Sequence, residues 1–367
     1  MATAGGLMDD DIKTPAAGAQ TWNANSPPPE DYRTINLALQ GGGSHGAFTW
    51  GVLDRLLADK RIFIEGISGT SAGAMNGALL AFGMAHGGRD GARAVLRKFW
   101  NRMGEASRYS PFQPAPFAHL MDNHSLDHSP AYHAFDFMSR LFSPYQLNPS
   151  GYHPVRELLD DLIDFDVLRK VQHVRLFISA TNVRTGKIRV FTMKEITPDV
   201  LLASACLPQL FKAVEIDGEH YWDGGFMGNP TMFPLLYQCK ANDILLIEIN
   251  PIQVDTVPQT ARDIADRMNS ISFNATMMRE MRTIAFVTQM LDQHRLTGRS
   301  HLRRIYFHMM QAEKEMARYG ASSKMNVHPR FIDLLYTLGY RVADEWLAEN
   351  YDSLGRESSI DLQKMFF

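Results

Sequence analysis

Apolar and polar positions alternate in Ile35-Asn36-Leu37-Ala38-Leu39, a strand-length run. Beyond a glycine turn, Phe48, Val52, Leu53, Leu56 and Leu57 recur at helical spacing and predict a helix over Ala47 to Leu57. Ile62-Phe63-Ile64 reads as a second strand, and the small apolar stretch from Ala72 to Phe82 as a helix packed closely on a sheet. Later strands are expected at Val174 to Ser179 and Asp243 to Ile249. The second of these is almost continuously apolar, as a strand covered on both faces would be. Lys187 to Phe191, after the Thr185-Gly186 turn, suggests a hairpin. Strand, turn and helix repeated in this order predict an α/β fold with parallel strands. The last third is mainly helical, with Ile305-Tyr306-Phe307 as a strand. Within it Ile271, Ala275, Met278, Met281, Ala285, Thr288 and Leu291 share one helix face, read as core packing, while Arg279 and Arg282 read as surface charges.

Two stretches break this pattern. Residues 1–31 are rich in Ala, Gly, Asn and Pro and offer too little apolar surface to offset ordering entropy, so a disordered tail is expected. Residues 101–151 carry several Pro, His and aromatic residues and read either as a lid or entrance wall, or as a surface insertion. The division expected is therefore a tail over 1–31, a catalytic domain over 32–255, and a mainly helical C-terminal region over 256–367 packed on it.

Composition narrows the function classes. The chain has 367 residues, 45% apolar and 21% charged, which suits a globular protein with a substantial core. A formal net charge of −3 is not the footprint of a nucleic-acid binder. Cys206 and Cys239 are too few for a disulfide framework and lack metal-site spacing, so reduced thiols and no metal are expected. Asp9, Asp10 and Asp11 near the start argue against a secretory signal, and no apolar run approaches 18 residues. A soluble, cytoplasmic protein is expected.

Candidate chemistry lies in two glycine-rich turns, each between a strand-like and a helix-like run: Gly41-Gly42-Gly43-Ser44-His45-Gly46 and Gly69-Thr70-Ser71-Ala72-Gly73. The second has the G-x-S-x-G form that holds a serine on a sharp strand-to-helix bend with its hydroxyl exposed. Gly69 and Gly73 relieve crowding at the bend, and the helix from Ala72 aims its positive dipole end at the reacting centre. The first turn offers backbone N–H groups that bind an oxyanion. The same turn also satisfies G-x-G-x-x-G through Gly41, Gly43 and Gly46, with Glu65 placed to hold a ribose, so a dinucleotide site competes. A third element, Tyr221-Trp222-Asp223-Gly224-Gly225, follows Val214-Glu215-Ile216 in a strand-to-loop setting. Alone it reads equally as an ordinary turn starting at Asp.

Taken together, the three motifs resemble the patatin-like phospholipase family, over roughly residues 35–250. The resemblance implies a three-layer α/β/α sandwich with a mainly parallel sheet, followed here by the helical C-terminal extension. It implies a lipid acyl ester as substrate, Ser71 as nucleophile and Asp223 as its partner in a two-residue dyad. The oxyanion hole would come from N–H groups of Gly41, Gly42, Gly43 and Ala72, with Gly46, Gly69, Gly73, Gly224 and Gly225 shaping the motifs. No cofactor and only transient contact with a membrane surface are implied. His45 stands where such proteins usually carry Arg or Lys, which leaves a fixed charge there in question. Chain order also permits a triad of Ser71, Asp223 and one of His294, His301 or His308. A hydroxyalkanoate polyester as substrate, or lipid binding without catalysis, are the alternative functions.

Overall fold

The computed structural model describes residues 32–107, 124–127, 129–293 and 302–366. The expected tail over 1–31 lies outside them. Among the described residues one sheet holds eight strands: β1 (Arg33–Leu39), β2 (Ile62–Gly69), β3 (Arg175–Asn182), β4 (Ile188–Thr192), β5 (Val214–Ile216), β6 (Glu219–Asp223), β7 (Asp243–Ile247) and β8 (Tyr306–Met310). β8, β7, β1, β2 and β3 run parallel in that spatial order. β4 returns antiparallel to β3 after the Thr185-Gly186 turn, where Gly186 has φ 66°. β7 lies between β1 and β8 and is buried along its whole length, as its unbroken apolar run predicts.

Register sets the position of the site. Leu39 pairs with both Gly69 and Ile247, so β1, β2 and β7 end level with one another. β4 occupies Phe177 to Thr181 along one edge of β3. The other edge is therefore shared: β2 pairs with Arg175 to Ile178, and antiparallel β6 pairs with Ala180 to Asn182. β2 runs up this edge to Gly69 while β6 runs down it to Asp223, and the two strand ends meet.

Side chains alternate across the sheet into two cores. Leu245 and Ile247 join Leu37, Leu39, Ile67 and Ile178 on the face covered by α1 (Gly46–Ala58), α2 (Ala72–Ala106) and the helix Pro329–Asn350. Ile244 and Leu246 join Ala38, Phe177 and Phe307 on the face covered by the helix Ala261–Asp292. This is a three-layer α/β/α sandwich with a mainly helical C-terminal region, which also adds β8 to the sheet. Three local expectations need correction. α2 continues well past Phe82 to Ala106, bending at Gly87 and Gly88, where φ/ψ leave the helical region. In the helix Ala261–Asp292 the buried stripe is Asn274, Met277, Met281, Ile284 and Ala285, so Ile271 is exposed and Met278 only partly covered. Arg282 is more than a surface charge, because its Nε donates to the Phe366 carbonyl at 2.7 Å.

α1 and the helix Pro329–Asn350 approach closely through reciprocal glycines. A Cβ on Gly51 would lie 2.0 Å from the Tyr336 carbonyl oxygen, and one on Gly339 would lie 2.0 Å from that of Phe48. Gly339→Ala should therefore force the helices apart and destabilise the protein by about 1–3 kcal/mol in denaturant unfolding. Gly87→Ala, which meets nothing within 4 Å, is the control that should cost far less.

Candidate active site

β2 ends at Gly69 and α2 starts at Ala72, leaving Thr70 and Ser71 to turn the chain. Ser71 is held at φ 54°, ψ −121°, a conformation that costs a residue with a side chain about 1–3 kcal/mol. Neighbouring bonds over-determine it. The Ser71 N–H donates to Ser204 Oγ at 2.9 Å, and the Thr70 hydroxyl is within 2.6 Å of Ser179 Oγ and donates to the Gly228 carbonyl at 2.8 Å. Any side chain at either flanking position would collide: a Cβ on Gly69 would sit 2.5 Å from the Gly73 oxygen, and one on Gly73 2.2 Å from the Leu39 oxygen.

Asp223 closes β6 and is buried. Its backbone is pinned from both sides, its N–H donating to the Cys206 carbonyl at 2.8 Å and its carbonyl accepting from Thr181 Oγ1 at 2.8 Å. Gly225 N–H donates to Asp223 Oδ1 at 2.6 Å, and Ser71 lines the same cavity as this carboxylate. Burial pushes the carboxyl up to about 7, against the pull of the Gly225 hydrogen bond, the nearby Ser71 hydroxyl and the Lys324 charge.

The triple-glycine loop leaves β1 at the same level. Gln40 Oε1 accepts from Ile249 and Asn250 N–H at 2.9 and 3.0 Å, and Asn250 Nδ2 donates to the Gly41 carbonyl at 2.7 Å. Gly41, expected among the oxyanion donors, has its N–H taken by Asn229 Oδ1 at 2.7 Å, so it shapes the loop instead. Gly42, Gly43 and Ala72 line a cavity of about 640 Å³ together with Ser71 and Asp223. Met75, Phe99, Trp100, Met103, Leu207 and Phe211 make much of its wall apolar. From residues 101–151, α3 (Pro130–Leu141) brings Tyr132 and Asp136 to the cavity lining, while 108–123 and 128 lie outside the described residues.

A family model for patatin-like phospholipase matches residues 37–236, more than half of the chain. The chain belongs to the patatin-like phospholipase family. Family membership supports a hydrolase acting on lipid esters. Comparison with curated proteins gives no match. Among solved structures, VipD from Legionella pneumophila is similar over 93% of this chain and 73% of its own, at 15% identity and TM-score 0.36. The type III effector protein ExoU is similar over 85% of this chain at 14% identity and TM-score 0.28. ExoU in its complex with SpcU, from Pseudomonas aeruginosa, is similar over 85% at 12% identity and TM-score 0.25. This chain spans about half the length of those ExoU chains, 54% and 52%.

Two residues on which the competing readings draw are engaged elsewhere. Glu65 is buried and accepts from Lys240 and Ala241 N–H at 2.6 to 2.9 Å, so it is not free to hold a ribose in this patatin-like chain. His308 lies between Asp243 Oδ1 at 3.0 Å and Ser359 Oγ at 3.1 Å on β8, so it does not serve Asp223. His294 and His301 lie outside the described residues. His45 is buried against Ser323 Oγ at 2.8 Å, and burial together with the Lys324 charge lowers it to about 3, so the imidazole is neutral. Both cysteines are free, and no helix among the described residues is long and apolar enough to cross a membrane.

Sequence reasoning missed Gln40, Asn250, Ser204 and Lys324. Gln40 and Asn250 were findable as polar residues at the carboxyl ends of expected parallel strands, where ligand sites of open α/β sheets lie. Nothing local marks Ser204 or Lys324. The raised Asp223 carboxyl has a stability consequence. The native state keeps its proton between the ordinary carboxylate range and about 7, so folding stability falls as pH rises through that window. Asp223→Asn removes the burden. Thermal unfolding should find this variant more stable than wild type at pH 8, with the difference shrinking towards pH 4.

Proposed function

We propose that the protein is a serine acyl-ester hydrolase of the phospholipase A or lysophospholipase type, with Ser71 as nucleophile and Asp223 as its base. The carrying observation is that Ser71 and Asp223 line one largely apolar cavity together with the triple-glycine loop. In the first step Ser71 Oγ bonds to the ester carbonyl carbon and its proton passes to Asp223, while the carbonyl electron pair moves onto oxygen. Gly42, Gly43 and Ala72 N–H groups receive that oxyanion. The tetrahedral centre collapses as the alcohol leaves with the proton from Asp223. Water then attacks the acyl-enzyme as Asp223 again takes the proton, and the second tetrahedral centre collapses by breaking its bond to Ser71 Oγ, which recovers that proton as the carboxylic acid leaves.

An aspartate of ordinary acidity is a weak base, and burial strengthens this one by raising its proton affinity. The apolar cavity wall suits acyl chains better than a polar substrate. Phe137 and Leu141 are 62% and 60% exposed on α3, the helix that lends Tyr132 and Asp136 to the cavity, and suit transient contact with a lipid surface. In this reading residues 32–255 carry the reacting groups and 256–367 pack on them.

Acyl release should be measured on phospholipids, lysophospholipids, neutral glycerides and hydroxyalkanoate polymers. Ser71→Ala and Asp223→Asn are each expected to lower it roughly 10³-fold or more, with unchanged circular dichroism. Because the base must be ionised, wild-type kcat/KM should fall as pH drops through about 7. Undiminished turnover by Ser71→Ala protein would remove the assignment.

A further inference from the structure

We propose that Lys324, from beyond the matched family region, is the positioning residue that supplies the site's positive charge, facing Asp223 and compensating the oxyanion. This rests on the acyl-hydrolase reading above.

The geometry carries it. Lys324 lies on the turn Ala321–Met325 and lines the cavity with Ser71, Asp223 and the triple-glycine loop. Among the described residues lining that cavity it is the single Lys or Arg. Its Nζ donates to Asn250 Oδ1 at 2.7 Å, and the Asn250 amide donates in turn to the Gly41 carbonyl, so the ammonium is tied to the oxyanion loop through one side chain. The Phe273 ring lies 5.9 Å from Nζ. The turn itself is clamped to the loop: Ser44 Oγ donates to the Ser323 carbonyl at 2.8 Å. Gly43 passes so close that a Cβ there would lie 2.3 Å from the Lys324 carbonyl oxygen. A buried ammonium bonded to a neutral amide keeps its field uncancelled at contact and acts on charges nearby.

The titratable groups facing Lys324 are Asp223, Asp266 and His45. Those facing Asp223 are Ser71, Cys206 and Lys324. His45 is neutral, so the triple-glycine loop carries no side-chain cation of its own. During attack, negative charge leaves the Asp223 carboxylate and appears on the carbonyl oxygen. Burial lowers Lys324 to about 8, so through neutral pH its ammonium stays charged in the cavity where that transfer takes place, with no counter-ion rearrangement.

The test is the pH–rate profile of wild type, Lys324→Met and Lys324→Arg on a neutral p-nitrophenyl ester, which has no headgroup charge to bind. Without the ammonium Asp223 holds its proton more tightly, so the acid limb of Lys324→Met should move to higher pH by roughly half a unit or more. Lys324→Arg should hold the limb near its wild-type position. Titration of the Asp223 carboxyl by ¹³C NMR, its signal identified by loss in Asp223→Asn, should show the same upward movement in Lys324→Met. Should that variant misfold by circular dichroism, Lys324→Gln, which can still bond Asn250, takes its place. A slower variant whose acid limb and carboxyl midpoint stay put would overturn the proposal, since a purely structural role predicts that result. If Ser71→Ala matches wild type on the ester, the hydrolase reading falls, and the NMR midpoint still decides the coupling of Lys324 to Asp223.

Discussion

β2 and β6 divide one edge of β3 between them and meet on it end to end. Because the opposite edge is filled by β4, β6 has only the length beyond Ile178 on which to pair. Its antiparallel direction then delivers Asp223 to the level at which the parallel β2 releases Ser71. Backbone hydrogen bonding, strong and directional, thus sets the distance between two side chains far apart in the chain. The remaining features refine this placement. Glycines at positions 69 and 73 permit the tight turn, and bonds to Ser204, Ser179 and Gly228 hold its strained backbone.

Burial then decides the chemistry available to that pair. A desolvated carboxylate is a stronger base than one in water, and this one shares its cavity with the Ser71 hydroxyl. Desolvation also makes the ionised form costly, which the Gly225 N–H offsets at contact and Lys324 at longer range. His45, neutral and walled in by Ser323, Tyr319 and Phe331, contributes packing rather than charge. Lys324 and Ser71 lie on separate segments, and Lys324 is tied to the triple-glycine loop through Asn250.

The C-terminal region is woven into this arrangement. Its helices cover both faces of the sheet, β8 extends the edge beside β7, and Asn269, Phe273, Lys324 and Val327 line the cavity. Residues 37–236 match the family model, yet they do not by themselves enclose the cavity. An apolar pocket needs walls on every side to exclude water, and here one wall comes from beyond the matched span.

Local physics was legible in the chain. Alternation in β1, the unbroken run of β7 and the glycine spacing around Ser71 each encode a nearest-neighbour constraint, so those elements could be read directly. Ser71, Asp223 and the glycine loop were visible as motifs for the same reason. α2 beyond Phe82 was hidden because Gly83, Gly87, Gly88 and Gly91 look like helix breakers, whereas Gly83 and the Gly91–Ala92 backbone actually pack against each other. The stripe on Ala261–Asp292 was displaced because a helix with apolar residues on several sides turns whichever face its sheet accepts. That Gly41 spends its N–H on Asn229, that His308 belongs to Asp243, and that Lys324 reaches the loop were decisions of tertiary structure alone. Each depends on which distant groups share a buried space, and hydrogen-bond saturation and desolvation act there without regard to chain order.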